Sequence, residues 1–260
     1  MKASESIIIA TTLHEPKFRL KPLIESFLPF IQKYHLKIII SYSPTTHNDV
    51  ITYLKEKRFT LSAPKEDKRI IPYLDVVEVA INQINDEHNQ RILYVDFDRL
   101  LHWVHNFPDE FIDILNQCSK FDVLHVGRTP RAFKTHPETQ QYTERIVNQL
   151  GSRILGVSNV QDLISVCYSF TKNLAEKLIS HSYPTEMGFY SSWPVILWSN
   201  AENKKYIEVD GQEWETPDRF QKEISEMGYD NWLLQFQTAT EWRYRVKLLE
   251  DCILELAEFI

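Results

Sequence analysis

"RILYVDFDR", Arg91 to Arg99, is an apolar run that stops at two aspartates around Phe97 and an arginine. A short run of β-favouring residues bounded by polar ones reads as a buried strand. Carboxylates at the end of such a strand are costly to desolvate, so they need a reason to be there. Two reasons stand open at this point. The acids serve chemistry on a metal-bound diphosphate, or they cap and solubilise a helix that follows.

The sequence on either side gives that strand a setting. "SIIIATT" and "LKIIISYS" read as strands, and the unbroken isoleucines of the second suggest burial on both faces, as in parallel sheets. Between them, Leu20, Leu23, Ile24, Phe27, Leu28 and Ile31 make one face of a helix. Pro22 suits its first turn, whereas Pro29 should bend or interrupt it. "THNDVITYLKEKRF" and residues 73–85 read as further helices, "FPDEFIDILNQCS" as another, and "FDVLHVGRTP" as a fourth strand. Strands alternating with helices of this length are βαβ units. Residues 1–130 therefore read as one doubly wound α/β half. Residues 131–260 complete the same compact domain less regularly. A helix is expected over "ETQQYTERIVNQLGSRIL", a strand running into a helix over "DLISVCYSFTKNLAEKLIS", and short strands or turns at "VILWSNA", "KKYIEVDG" and "QEWETPDRF". The C-terminal "EWRYRVKLLEDCILELAEFI" is a long amphipathic helix.

Composition narrows the class. The 260 residues carry a net charge of −7, and 43% are hydrophobic, which suits a folded domain with a real core and gives no support to nucleic-acid binding. Residues 1–75 hold twelve basic and eight acidic side chains, so the front of the chain is the better place to meet an anion. Cys118, Cys167 and Cys252 are isolated and odd in number, as for core thiols in a reducing compartment. No signal-like leader is read, and no stretch approaches the roughly 20 apolar residues of a membrane span. A cytoplasmic protein is expected.

In a regular strand Asp96 and Asp98 would point to one face, about 6–7 Å apart. Their oxygens suit Mg²⁺ or Mn²⁺, whose other positions go to phosphates and water. Arg99 could bond a phosphate or orient a neighbouring acid. No P-loop, GxGxxG, GxSxG or HExxH is present. With only six glycines, few loops could wrap phosphate by backbone alone, which leaves that work to a metal and arginines.

The order of "SIIIATTLHEP", "LKIIISYSPTTHNDVITYL", "RILYVDFDRLL" and "DVLHVGR" resembles that of nucleotide-sugar glycosyltransferases of the GT-A fold, in the manner of glycosyltransferase family 2, across residues 4–130 and more loosely beyond. The resemblance implies an α/β sandwich with a mostly parallel central sheet flanked by helices. It implies transfer of a sugar from a nucleoside-diphosphate sugar to an acceptor hydroxyl, with Mg²⁺ or Mn²⁺. Asp98 would hold the metal, and Asp96 the donor ribose or the metal with its water. Thr11, Thr12, His14 and Glu15 would line the nucleotide. Arg69 would face the diphosphate. Many relatives carry an acid after the second strand; "SYSPTTH" has none until Asp49.

For the acceptor side, "YPTEMGFYSSWPVILW" combines Glu186 with dense aromatics, and Glu186 would be the general base if the reaction inverts. Trp214 and Glu215 could add to the same rim. The basic loop "GRTPRAFKTH", with Arg128, Arg131 and Lys134, fits a clamp for a diphosphate or an acidic acceptor, or plain surface charge. His102 reads as a buried or capping histidine beside its apolar neighbours. Three rivals to transfer remain at this point: a nucleotidyltransferase, a sugar-nucleotide hydrolase, and a degenerate GT-A protein that only binds.

Overall fold

A computed structural model describes residues 6–63, 70–85, 90–182 and 187–260. In chain order these form β1 (Ile7–Leu13), α1 (Lys21–Tyr34), β2 (Lys37–Tyr42), α2 (Asn48–Glu56), β3 (Thr60–Ser62), α3 (Ile71–Asn82), β4 (Arg91–Tyr94), α4 (Phe97–Asn106), α5 (Pro108–Cys118), β5 (Val123–Arg128), α6 (Pro130–Lys134), α7 (Glu138–Ile154), β6 (Tyr168–Phe170), α8 (Lys172–His181), α9 (Phe189–Asn200), β7 (Lys204–Val209), α10 (Gln221–Met227), α11 (Tyr229–Leu233) and α12 (Ala239–Ala257). Among the described residues the sheet has seven strands in the order β3-β2-β1-β4-β6-β5-β7. β6 alone runs against the rest, so the sheet is mostly parallel.

Alternation along the strands builds two cores. Ile7 and Ile9 of β1, with Leu93 of β4, pack under α1, α2, α4 and α5. Ile8 and Ala10, with Ile92 and Tyr94, pack under α3, α7, α8, α9 and α12. Every residue of β1 is buried, which is why it reads as a continuous apolar run rather than an alternating one. α1 continues through Pro29, so the expected interruption does not occur, while Pro22 does stand in its first turn.

Two sequence expectations are corrected. "VILWSNA" is the end of α9, not a strand. Phe189, Ser191, Ser192, Trp193, Pro194, Val195, Ile196 and Leu197 are all buried, so α9 has no polar stripe to betray its helical period. The second concerns Asp98. β4 ends at Tyr94 and α4 begins at Phe97, so Asp98 sits in a helical first turn and does not continue the strand.

α9 and α12 meet through a buried carboxyl. Glu255 is 2% exposed and accepts a hydrogen bond from Ser192. Burial, with Asp251 adding, pushes Glu255 up to about 7. The folded protein therefore keeps this proton through a window, from about 4.5 to about 7, in which the unfolded chain has released it. Its contribution to stability is present below that window and is lost as pH rises through it. Glu255→Gln should remove this slope and stabilise the protein at pH 8 by on the order of 1–3 kcal/mol. Urea unfolding at pH 5 and pH 8 measures it; equal slopes in variant and wild type would refute the assignment.

Candidate active site

The strand order reverses direction between β1 and β4. In an open α/β sheet a ligand crevice lies outside the carboxyl ends of the strands at such a switch point. The pairing Ala10 to Tyr94 sets the register there. The ends of the two strands thus bring Thr12, Tyr94 and Asp96 together. Thr12 Oγ1 and Tyr94 Oη both donate to Asp96 Oδ1, at 3.0 and 2.9 Å. The two hydroxyls also lie 2.9 Å apart, so two hydrogens serve three close contacts.

Asp96 also occupies the N-cap position of α4, with extended backbone (φ −63°, ψ 143°), yet its side chain makes no capping bond. The helix-cap position and the site acid are the same residue, with the carboxylate turned to the cleft rather than to the helix. Burial, with Asp98 adding, raises Asp96 to about 6, against the pull of Arg99 and the two hydroxyls. Asp98 accepts from the Arg99 amide at 3.0 Å and faces the Arg219 guanidinium at 2.9 Å. Both acids stand at the positive end of the α4 dipole.

A cleft of about 390 Å³ opens over this pair, lined by Thr12, His14, Ser43, Thr45, Asp96, Asp98 and Arg219 among others. Part of its lining is polar: His14 Nδ1 lies 2.9 Å from Ser43 Oγ and 3.1 Å from Thr45 Oγ1. Part is aromatic, with Tyr73 and Tyr190 bonded through their hydroxyls at 3.0 Å. A second cavity of about 140 Å³ shares Asp96, Met187, Tyr190 and Tyr244 with the first. Around the rest of it stand Arg99, Gln140, Glu144, Glu215 and Arg245. Arg99 donates to the Ser165 carbonyl and lies 3.6 Å from Glu215. Burial works against the Arg99 charge, but Glu215 and Asp96 hold it protonated. Burial raises Glu215, with Asp98 adding and Arg99 opposing.

The carboxylate pair suits a divalent cation. Asp96 commits only Oδ1 to hydrogen bonds among the described residues, and its neighbour is a second carboxylate on the same cleft. Among the described residues no cluster of three or more His, Cys, Asp or Glu forms a cage. Two protein carboxylates with the remaining positions left to water and phosphate is how Mg²⁺ and similar ions are held at phosphoryl substrates.

Neither a protein-family model nor any curated protein matches the sequence. Solved structures do match. One is glucosyl-3-phosphoglycerate synthase from Mycobacterium tuberculosis in complex with Mn²⁺, UDP-glucose and phosphoglyceric acid. It aligns over 80% of this chain and 71% of that one, with TM-score 0.50 and 11% identity. The same enzyme in complex with UDP aligns over 80% and 73%, again at TM-score 0.50 and 11% identity. The chain has the GT-A fold. At 11% identity the likeness speaks for the fold, and the site rests on its own geometry.

Placed on that GT-A frame, the sequence candidates separate. Thr12, His14, Asp96 and Asp98 line one cleft. Thr11 is fully buried and does not reach it. Glu15 lies behind the wall, 1% exposed; its Oε1 accepts the Lys17 and Arg19 amides at 3.2 Å each, and its Oε2 faces Arg219. Arg99 borders the smaller cavity, not the larger. Arg69 and Glu186 lie outside the described residues. Ser43, Thr45, Tyr73, Arg219 and Tyr244 were not anticipated; only "SYSPTTH", as a hydroxyl-rich loop after a strand, carried a signal.

The basic loop after β5 is largely consumed internally. Arg128 is fully buried, 2.6 Å from Asp162 and 2.6 Å from Glu144, and Asn148 donates to the same Asp162 at 2.9 Å. Arg131 pairs with Asp210 and Glu213. Neither arginine lines the cleft or the cavity beside it. His102 is likewise committed, 2.7 Å from Asp218 and 3.3 Å from Glu213. Removing one member of a buried ion cluster strands the others. Asp162→Ala should therefore cost about 3–5 kcal/mol in chemical unfolding, whereas a loss under 1 kcal/mol would show that Arg128 finds another partner or water.

Proposed function

We propose that the chain is a nucleotide-sugar-dependent glycosyltransferase, moving a sugar from a nucleoside-diphosphate donor to an acceptor hydroxyl. The observation that carries the reading is the carboxylate pair Asp96 and Asp98 at the β1–β4 switch point, where a larger cleft and a small polar cavity share Asp96 as their wall. The larger cleft has the chemistry for a nucleotide. His14, Ser43 and Thr45 offer hydrogen-bonding groups for a base, and Tyr73 and Tyr190 offer aromatic surface. These groups would take the place of the acid that the second-strand loop lacks.

Asp98 and Asp96 would hold Mg²⁺ or Mn²⁺; a solved neighbour of the same fold holds Mn²⁺ together with UDP-glucose, which supports a metal-dependent donor site. When bound, the ion supplies positive charge to a diphosphate as it departs. Thr12 and Tyr94 fix the Asp96 carboxylate in place before any ligand arrives, so no reorientation is needed when charge develops. The smaller cavity then receives the sugar and the acceptor hydroxyl. Glu215 is the carboxyl on that side that burial raises above the usual carboxylate range, which makes it the stronger base for an acceptor hydroxyl.

Calorimetry with UDP, GDP and their sugar conjugates tests the reading, each with Mn²⁺ and with EDTA. One nucleotide should bind only with the metal, and Asp98→Asn should weaken it by about tenfold or more, about 1.4 kcal/mol or greater. Binding that ignores both EDTA and the substitution would remove the site, and no binding to any nucleotide by folded protein would remove the function.

A further inference from the structure

Arg219 lies in a short 3-10 turn, Thr216–Phe220, 121 residues beyond Asp98 in the chain, yet its guanidinium forms part of the cleft wall. It joins three parts of the site. Nη2 is 2.9 Å from Asp98 Oδ2 and 3.2 Å from the His14 carbonyl, and Nε is 3.2 Å from Glu15 Oε2. The turn that carries it is anchored elsewhere. Arg19 pairs with Glu223 at 2.6 Å and stacks over Phe220 at 4.4 Å, and Asp218 pairs with His102 at 2.7 Å. Phe220, Trp232 and Phe236 pack together behind it.

The grip on Arg219 itself is looser than its charges suggest. Its Nε and Glu15 Oε2 face each other at 3.2 Å, but neither meets hydrogen-bond geometry with any partner. Arginine binds carboxylates and phosphates best through two parallel bonds, and no such fork forms here. The backbone is pinned, while the head group makes one hydrogen bond, to the His14 carbonyl, and is otherwise held by charge. The group it neutralises, Asp98 Oδ2, belongs to the carboxylate assigned above to the cation.

A guanidinium and a divalent ion cannot share that oxygen without repulsion. A diphosphate entering the same cleft offers the guanidinium several strong acceptors in exchange. We propose that Arg219 is a binding residue for the donor diphosphate, held in reserve on Asp98 in the free protein and released to the diphosphate when cation and nucleotide enter together. The proposal rests on the nucleotide-sugar reading above. Its consequence is coupling: the metal alone binds weakly because it must displace Arg219, and nucleotide and metal each strengthen the other.

The test is calorimetry on the full chain with Mn²⁺ alone and with the nucleoside diphosphate in the presence of Mn²⁺, comparing wild type, Arg219→Gln and Arg219→Lys. Arg219→Gln should bind Mn²⁺ alone about threefold or more tightly, and the nucleotide about tenfold or more weakly. Arg219→Lys should recover part of the nucleotide affinity. Glu15→Gln keeps an acceptor for the Lys17 and Arg19 amides while loosening the hold on Arg219, and should tighten nucleotide binding roughly threefold. If Arg219→Gln does not fold, this second variant decides. Unchanged affinities in both variants, or parallel loss of metal and nucleotide in Arg219→Gln, would overturn the role of Arg219 while leaving the nucleotide-sugar reading intact. Failure of the wild type to bind any nucleotide would overturn both.

Discussion

A carboxylate half-buried at the end of a central strand needs partners from the protein, and in this chain two hydroxyls supply them. Thr12 from β1 and Tyr94 from β4 converge on one oxygen of Asp96. That contact needs the parallel register that sets Ala10 beside Tyr94, so the sheet and the site are specified by the same pairing. It also leaves the second oxygen uncommitted beside Asp98 at the N-terminus of α4. The positive end of α4 favours the negative charge of both acids, and in the proposed function a cation shares them.

The remaining charges are arranged so that this place stays the electrostatic centre of the cleft. Arg128 and Arg131, which the sequence alone offers as phosphate clamps, are bound to Asp162, Glu144, Asp210 and Glu213. Arg99 is bound between the Ser165 carbonyl and Glu215. Among the residues described as lining the larger cleft, Arg219 is the one arginine. Asp210, Glu213 and Glu215, close together in the chain, hold Arg131 and Arg99 in structural roles, and the turn at residues 216–220 that follows them returns one arginine to the cleft.

Much of the sheet was legible because buried parallel strands leave a plain trace. Residues 7–13, 37–42, 91–94 and 123–128 are each short, β-branched and buried on both faces. The same rule misled at α9, where Val195, Ile196 and Leu197 look like a strand because the helix is buried on every side. The two aspartates were legible as a pair at the end of a strand but not as a geometry, since the strand yields to α4 between Tyr94 and Phe97. Thr12 and His14 follow a strand whose direction is evident, so their arrival at the cleft was readable. Arg219, Tyr73 and Tyr244 reach the site through tertiary packing across long stretches of chain, and no local pattern marks them.

In the proposed function Asp96 and Asp98 share one cation with a nucleoside diphosphate in this cleft. The most direct measurement is a crystal structure of the protein grown with Mn²⁺ and the nucleotide, located by the anomalous signal of the metal. The account predicts a single peak at about 2–2.5 Å from a carboxylate oxygen of Asp98, with the diphosphate on its far side. A nucleotide bound in the cleft with no metal at either aspartate, or a metal held elsewhere on the surface, would contradict it.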